Sequence, residues 1–291
     1  MILSKVDVVE SIAPEEFRRN YYIPNKPLVI RDLAKGWKAY SKWDWDYFKQ
    51  LVGNQKVGIY NNVKSDAYTP INTADDYTTF GQYIDMVKSG PAEWRIFLFN
   101  IFDHAPELTN DFSWPEHLMK GFVKKYPMLF VGGQGSITHM HFDIDLSHIL
   151  HTQFAGRKRV LLFPFEEQKK LYRKPWEVLS LVDFSHYADV NRSKVDYAAF
   201  PALNLAKGMD VVLEPGDTLF MPAGYWHHME YIDSGFAMSL RALQPSISGK
   251  LRGVWNLFGV RGIDTMMKKT APNWWYHYKK EKIFKAAKGV S

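Results

Sequence analysis

The 291-residue chain reads as mainly β with flanking helices, its core a sandwich or barrel of short strands. Three observations carry that expectation. From Pro127 to Ala242 the sequence falls into the runs MLFVGG, THMHFD, ILHTQFAG, KRVLLFPF, DVVLEPGD, TLFMPAG and GFAMSLRA, separated by Gly, Pro and Asp. The composition is globular, with 46% hydrophobic, 15% aromatic and 23% charged residues, enough to bury a core. Many short strands at this spacing, with helical patterns before and after them, argue for a sandwich or barrel rather than a parallel α/β sheet.

Along the N-terminal flank the spacing predicts an amphipathic helix over Pro14–Tyr22, a strand over Pro27–Arg31, a helix over Trp45–Val52 and a strand over Lys56–Tyr60. A further helix is expected over Asp75–Ser89, because Phe80, Tyr83, Ile84 and Val87 fall at i, i+3, i+4 and i+7 and Gly90-Pro91 ends the pattern. Arg95–Asn100 reads as a strand, and Glu116–Lys125 as a short helix with Leu118, Met119, Phe122 and Val123 turned inward. After Pro245 the helices expected are Lys250–Phe258, Ile263–Lys269 and Asn273–Ala287. The organisation that follows is one domain over residues 1–245, its metal-binding core at about 127–245, and a helical extension over 246–291.

With no Cys in the chain, disulfides, thiolate zinc sites, iron–sulfur clusters and cysteine nucleophiles are excluded, so any metal rests on His and carboxylate. The opening MILSKVDVVESIAPEEF lacks a cleavable apolar segment, and no apolar run approaches the roughly 18–20 residues a bilayer span needs, which predicts a cytoplasmic protein with no membrane partner. The net charge of +6 invites a nucleic-acid reading, but the excess lies entirely from Lys268 onward, where Lys268, Lys269, Lys279, Lys280, Lys282, Lys285 and Lys288 face only Glu281. Mixed with Trp274, Trp275, Tyr276 and Tyr278, these lysines suit RNA or a lipid surface. The plainer alternatives are a helix with Tyr276, Ile283 and Ala287 packed and its lysines solvated, or a homodimer contact.

The chemistry-bearing residues sit in the β-rich region. In a strand, residues i and i+2 share a face, so within Thr138-His139-Met140-His141-Phe142-Asp143 the side chains of His139, His141 and Asp143 are expected to point into one interior. A later strand can bring His227, in Tyr225-Trp226-His227-His228, opposite them. Two imidazoles and one carboxylate on one face of a metal, with positions left open, is the arrangement expected of non-heme Fe(II) oxygenases. Gly216 to His227 spells G-x5-P-x-G-x2-H, in which Gly and Pro turn the chain at both ends of a short apolar strand.

That distal segment resembles the second motif of the cupin superfamily. Together with GSITHMHFDIDLSHILHTQFAGRKRVLLFPFEE it is similar to the cupin-like JmjC hydroxylases, including the asparaginyl hydroxylase that modifies hypoxia-inducible factor. The resemblance is strong over Met128–Ala242 and weaker over Lys26–Tyr60. It implies a double-stranded β-helix (jelly-roll) core and a dioxygenase that uses Fe(II), 2-oxoglutarate and O2 to hydroxylate a protein or peptide side chain, with an RNA or small-molecule substrate as alternatives. His141, Asp143 and His227 would hold the metal. Lys158 and Thr138 would hold the far carboxylate of 2-oxoglutarate, a charge-assisted bond worth about 1.5–3 kcal/mol. Ser239 stands where that relative has asparagine, and His151 alternates onto the pocket face with Ile149 and Gln153. The family's tyrosine for this carboxylate has no counterpart in Arg95-Ile96-Phe97-Leu98-Phe99.

Two other readings stay open on the sequence. Gly133-x5-His139-x-His141 also fits germin-like cupins, in which His139, His141 and His227 would bind a divalent ion without 2-oxoglutarate and Asp145 would replace the usual glutamate. The barrel could instead be a non-catalytic binding module. Trp226 and His228 are candidates for the pocket mouth, Arg241 and Tyr60 for substrate contact, and His104, His117, His186 and His277 read as structural.

Overall fold

The runs read as strands are almost continuously apolar because most of the strands they form are covered on both faces, by each other and by flanking helices. The computed structural model describes residues 1–63, 73–97, 99–244 and 247–290. Its strands are β1 (Ile2–Lys5), β2 (Asp7–Val9), β3 (Leu28–Ile30), β4 (Lys56–Tyr60), β5 (Asp76–Thr79), β6 (Arg95–Ile96), β7 (Met128–Gly132), β8 (Ile137–His141), β9 (His148–Ala155), β10 (Lys158–Phe163), β11 (Lys207–Leu213), β12 (Thr218–Met221), β13 (Trp226–Tyr231) and β14 (Gly235–Ala242). The α-helices are α1 (Pro14–Phe17), α2 (Lys38–Lys42), α3 (Trp45–Val52), α4 (Phe80–Ser89), α5 (Ile101–His104), α6 (Ile247–Trp255), α7 (Arg261–Thr270) and α8 (Pro272–Lys288).

Among the described residues the strands form two sheets, β1-β11-β10-β13-β8 and β2-β3-β12-β9-β14-β7-β6-β4-β5, which make a jelly-roll-like core. The expected fold class is therefore the one observed. In the first sheet β13 lies between β10 and β8, pairing antiparallel with both. In the second, β14 lies between β9 and β7, so Ser239 stands opposite both His151 and Met128. The N-terminal elements extend the second sheet, and the helix faces of Phe48, Phe80 and Tyr83 join its outer core with Phe236 and Met238.

Three expected elements differ. The helix predicted from Asp75 begins only at Phe80, because Asp76–Thr79 pairs with β4 as a strand. Thr79 then caps α4: its hydroxyl accepts from the Gln82 amide at 3.2 Å while the Gln82 side chain accepts from the Thr79 amide at 3.1 Å. The strand expected over Arg95–Asn100 shortens to Arg95–Ile96, with Ile101 already starting α5. Glu116–Lys125 is not a helix. Its apolar spacing is real burial, with Leu118 and Met119 in the core, but Gly121 sits at φ +86° and Phe122 bridges to Ala242, so the segment runs as turns.

The C-terminal helices lie where the periodicity puts them, yet the buried stripe differs from the one expected. Tyr276 is exposed, and the packed residues of α8 are Trp275, Lys279, Ile283 and Ala287 at four-residue spacing. Ile283 and Ala287 join the core around Met140, Phe142 and Trp226. Lys279 is buried rather than solvated, paired with Asp264 at 2.9 Å and with Glu177, and Lys268 pairs with Asp264 at 2.9 Å. Among the described residues no helix is long and apolar enough to cross a membrane.

One contact ties the scaffold to the cavity described below. A methyl group on Gly132 would lie 2.5 Å from the Tyr231 ring and 2.7 Å from the Ser136 hydroxyl, both buried positions with little room to yield. Gly132→Ala is expected to cost about 1–3 kcal/mol of stability in urea unfolding by overpacking. An unchanged midpoint would show that Tyr231 is not fixed against this strand.

Candidate metal centre

Three side chains converge at the end of the first sheet. His141 closes β8 and pairs directly across from His227 near the start of β13, and Asp143 follows two residues beyond β8. One ligand-capable atom of each lies within 4.8 Å of the others, and the two imidazole centroids are 4.2 Å apart. His141 Nδ1 lies 2.8 Å from the His139 carbonyl, and His227 Nδ1 lies 3.2 Å from the Tyr225 carbonyl. A carbonyl can only accept, so both rings carry the proton on Nδ1 and keep the Nε2 lone pair for the centre. That is how second contacts prepare imidazole ligands, and the donor set fits a divalent transition metal.

Arg241, on β14, sets the carboxylate. Its guanidinium reaches Asp143 Oδ2 at 3.3 Å and Asp145 Oδ2 at 3.0 Å, while Asp143 Oδ1 faces His141 Nε2 at 3.7 Å. Burial works to raise the Asp143 pKa, but the charge and hydrogen bond of Arg241 lead the contacts that outweigh it, so the carboxylate stays ionised. Burial, and then the neighbouring His227, lowers the His141 pKa, and burial lowers that of His227, so both rings are neutral and able to bind a cation.

His139 does not join them. The register of β8 against β13 shifts between His227 and Met229, so His227 faces His141 whereas Met229 faces Thr138, one extra residue on β8. This bulge puts Thr138 and His141 on the cavity side at a spacing of three. His139 instead lies with Nε2 3.0 Å from the Asn62 carbonyl. The expectation that His139 shares the interior with His141 and Asp143 is thereby overturned, and the germin-like ligand set loses a member. Asp145, its proposed fourth ligand, is held by Arg241 and the Ser147 hydroxyl.

A cavity of about 940 Å³ runs from the triad between the sheets, and Thr138, His151, Lys158 and Ser239 all line it. Lys158 is fully buried at the start of β10. Its ammonium donates to His151 Nε2 at 3.1 Å and lies 4.3 Å from the centroid of the Tyr231 ring. His151 Nδ1 in turn donates to the Ser239 hydroxyl oxygen at 2.8 Å, which fixes the imidazole tautomer. No carboxylate pairs with Lys158 among the described residues, and burial alone lowers its pKa to about 7. Burial also pushes the His151 pKa well down, with Lys158 adding to the effect.

Two pocket candidates fall elsewhere. Trp226 and His228 are fully buried on the opposite face of β13, the first edge-on to Phe142 at 4.9 Å and the second against Phe184 and Tyr187. His186 is structural as expected, 2.6 Å from Glu230. Sequence reasoning passed over Tyr231 and Arg95, which also line the cavity. Tyr231 had a legible signal, since it lies four residues after His227 on one strand and therefore on the same face.

Comparison with known proteins agrees with this geometry. The profile of the cupin-like domain family matches residues 14–282. Lysine-specific demethylase JMJ30 of Arabidopsis thaliana is 27% identical over 241 residues, 81% of this chain and 54% of that protein. Lysine-specific demethylase 8 of Xenopus tropicalis is 25% identical over 77% of this chain and 50% of its own length. HSPB1-associated protein 1 of Homo sapiens is 25% identical over 77% of this chain and 49% of its own length. The chain thus spans about half the length of the curated relatives it matches.

The buried ammonium has a thermodynamic signature. With its folded-state pKa lowered from 10.5 to about 7, Lys158 weakens the fold fully below about pH 7 and not at all above its unfolded-state pKa. Lys158→Met is therefore expected to stabilise the protein, without added ligand, by a few kcal/mol, in order of magnitude, near pH 6, with the gain shrinking towards about pH 9. Denaturant unfolding of both proteins across that range checks it; a gain that stays constant or grows with pH would contradict the burial of an unpaired charge.

Proposed function

The chain belongs to the cupin-like domain family, and from that premise we propose that it is an Fe(II)- and 2-oxoglutarate-dependent dioxygenase that hydroxylates a side chain of a protein or peptide. The observation that carries the reading is a cavity with two metal-ready imidazoles and a carboxylate at one place and, at another, a buried ammonium with no carboxylate partner among the described residues. A dicarboxylate that also binds metal is the ligand this pairing suits. The relatives named as demethylases and the motifs shared with hydroxylases both support an oxygenase of this type. The narrower likeness to the asparaginyl hydroxylase rests on the sequence motifs alone.

In this reading His141, Asp143 and His227 hold Fe(II). Bound there with 2-oxoglutarate, the iron supplies activation of O2 coupled to oxidative decarboxylation of the cosubstrate to succinate and CO2. The chain contributes position and environment. Arg241 fixes the Asp143 carboxylate, with one oxygen tethered and the other turned to the centre. Lys158 receives the far carboxylate of the cosubstrate, aided by the hydroxyls of Thr138 and Ser239, while His151 orients the ammonium. Met128, Phe130, Ile149 and Met229 line the same space and exclude water, which strengthens these polar contacts.

Anaerobic addition of Fe(II) and then 2-oxoglutarate is expected to produce a weak visible metal-to-ligand charge-transfer band. Asp143→Ala should lower iron-dependent 2-oxoglutarate turnover by at least roughly 100-fold in a protein that still unfolds cooperatively. Lys158→Ala should raise the 2-oxoglutarate concentration required by about 10–100-fold, the equivalent of one charge-assisted hydrogen bond. Full turnover in Asp143→Ala would remove the triad, and an unchanged 2-oxoglutarate requirement in Lys158→Ala would remove Lys158 from the site.

A further inference from the structure

The cations lining the cavity divide by partner. Arg241 is neutralised by Asp143 and Asp145, and Lys268 by Asp264 and Glu177. Lys158 is assigned to the cosubstrate in the reading above. Three remain. Arg95, on β6, is partly buried and makes no ion pair among the described residues; one guanidinium nitrogen donates to the Asn61 carbonyl at 3.0 Å, and the group lies 5.9 Å from the centroid of the Tyr60 ring. A guanidinium has five N–H donors, so most of those on Arg95 remain for whatever enters the cavity. Arg261 and Lys269, on α7, also line the cavity, are exposed, and make no ion pair among the described residues.

We propose that the substrate is an acidic peptide segment, with Arg95 as a specificity-determining residue that receives a side-chain carboxylate inside the cavity and Arg261 and Lys269 drawing flanking acidic residues to it. The inference deepens the oxygenase reading by naming a substrate class, and it rests on that reading for the reaction. Among the described residues every carboxylate lining the cavity is already engaged: Asp143 and Asp145 by Arg241, and Glu177 and Asp264 by Lys268 and Lys279. A lysine or methylated lysine would bring a further positive charge past cations that, among the described residues, make no ion pair and leave no free carboxylate to meet it, and juxtaposed like charges are what interfaces use to reject wrong partners. A carboxylate instead gains a planar, bidentate partner at Arg95. Burial lowers the Arg95 pKa although the neighbouring tyrosines and the charge of Asp75 work against it, and an anion beside the guanidinium offsets more of the loss of water.

The test is fluorescence anisotropy on the full chain, with and without Fe(II), using labelled nonapeptides of one scaffold whose three central residues are Asp, Ser, Lys or trimethyl-Lys, beside a nine-nucleotide oligouridylate. The Asp peptide is expected to bind about 10-fold or more tighter than the Ser peptide at low salt, with the Lys and trimethyl-Lys peptides weakest. Arg95→Met should remove about 10-fold of the Asp peptide's affinity, and Arg95→Lys, which keeps the charge and loses the planar fork, should restore only part of it. Should Arg95→Met fail to fold, the double variant Arg261→Ser, Lys269→Ser at exposed positions carries the test, with an expected loss of about 3-fold or more and a weaker salt dependence. A lysine-containing peptide binding as tightly as the Asp peptide, oligouridylate binding more tightly than it, or unchanged affinity in the folded variants would each overturn the proposal. Peptide selectivity is read without 2-oxoglutarate, so it stands or falls apart from the cosubstrate. A missing charge-transfer band in the wild-type protein would remove the oxygenase reading alone.

Discussion

Strand β13 is held between two neighbours that each deliver one half of the site, and the rest of the arrangement depends on that pairing. On one side His227 meets His141 of β8, and on the other Tyr231 meets Lys158 of β10. Because side chains alternate along a strand, His227, Met229 and Tyr231 face the cavity while Trp226 and His228 are driven into the opposite core. A slip of one residue would exchange the two sets, so the burial of Trp226 against Phe142 enforces the register that aims His227 at the metal position. The bulge in β8 completes the geometry by turning Thr138 and His141 together towards the cavity and His139 away.

Energetically the site works against the fold. A fully buried Lys158, held by an imidazole and an aromatic ring, lacks among the described residues the carboxylate that would offset its desolvation. Continuous apolar clusters on both sides of the sheets carry this cost. By contrast Asp143 and Arg241 satisfy each other, which keeps the ligand carboxylate charged and aimed before any metal arrives. Cations left unpaired and a carboxylate held ready are what a cavity shows when its missing partners are ligands rather than side chains.

Much of this was legible in the sequence, for physical reasons that also mark where legibility ended. The core strands were readable because Gly, Pro and Asp punctuate apolar runs, and the H-x-D spacing with the distal His was readable because it needs only strand alternation and a later crossing. Alternation itself misplaced His139, since a bulge depends on the partner strand and leaves no local mark. It also left Trp226 and His228 as pocket candidates, because which face of β13 meets the cavity is decided by packing. Glu116–Lys125 showed burial without helix: Leu118 and Met119 obey a spacing that turns can satisfy as well. Lys279 was read as solvated because its partner Glu177 lies far from it in sequence and Asp264 lies on the preceding helix. Arg95 was passed over for a related reason, since a cation is noteworthy only once it is seen to make no ion pair among the described residues.

The central claim is that Lys158 awaits a carboxylate, and proton linkage tests it most directly. Calorimetric titration of 2-oxoglutarate into the Fe(II)-loaded protein under anaerobic conditions, at about pH 8 in buffers of different ionisation enthalpy, gives the protons taken up on binding. With the Lys158 pKa near 7 when no ligand is bound, binding of the dicarboxylate should draw in between about half and one proton, and the uptake should vanish in Lys158→Met. No uptake in the wild-type protein, or equal uptake in both, would contradict the account.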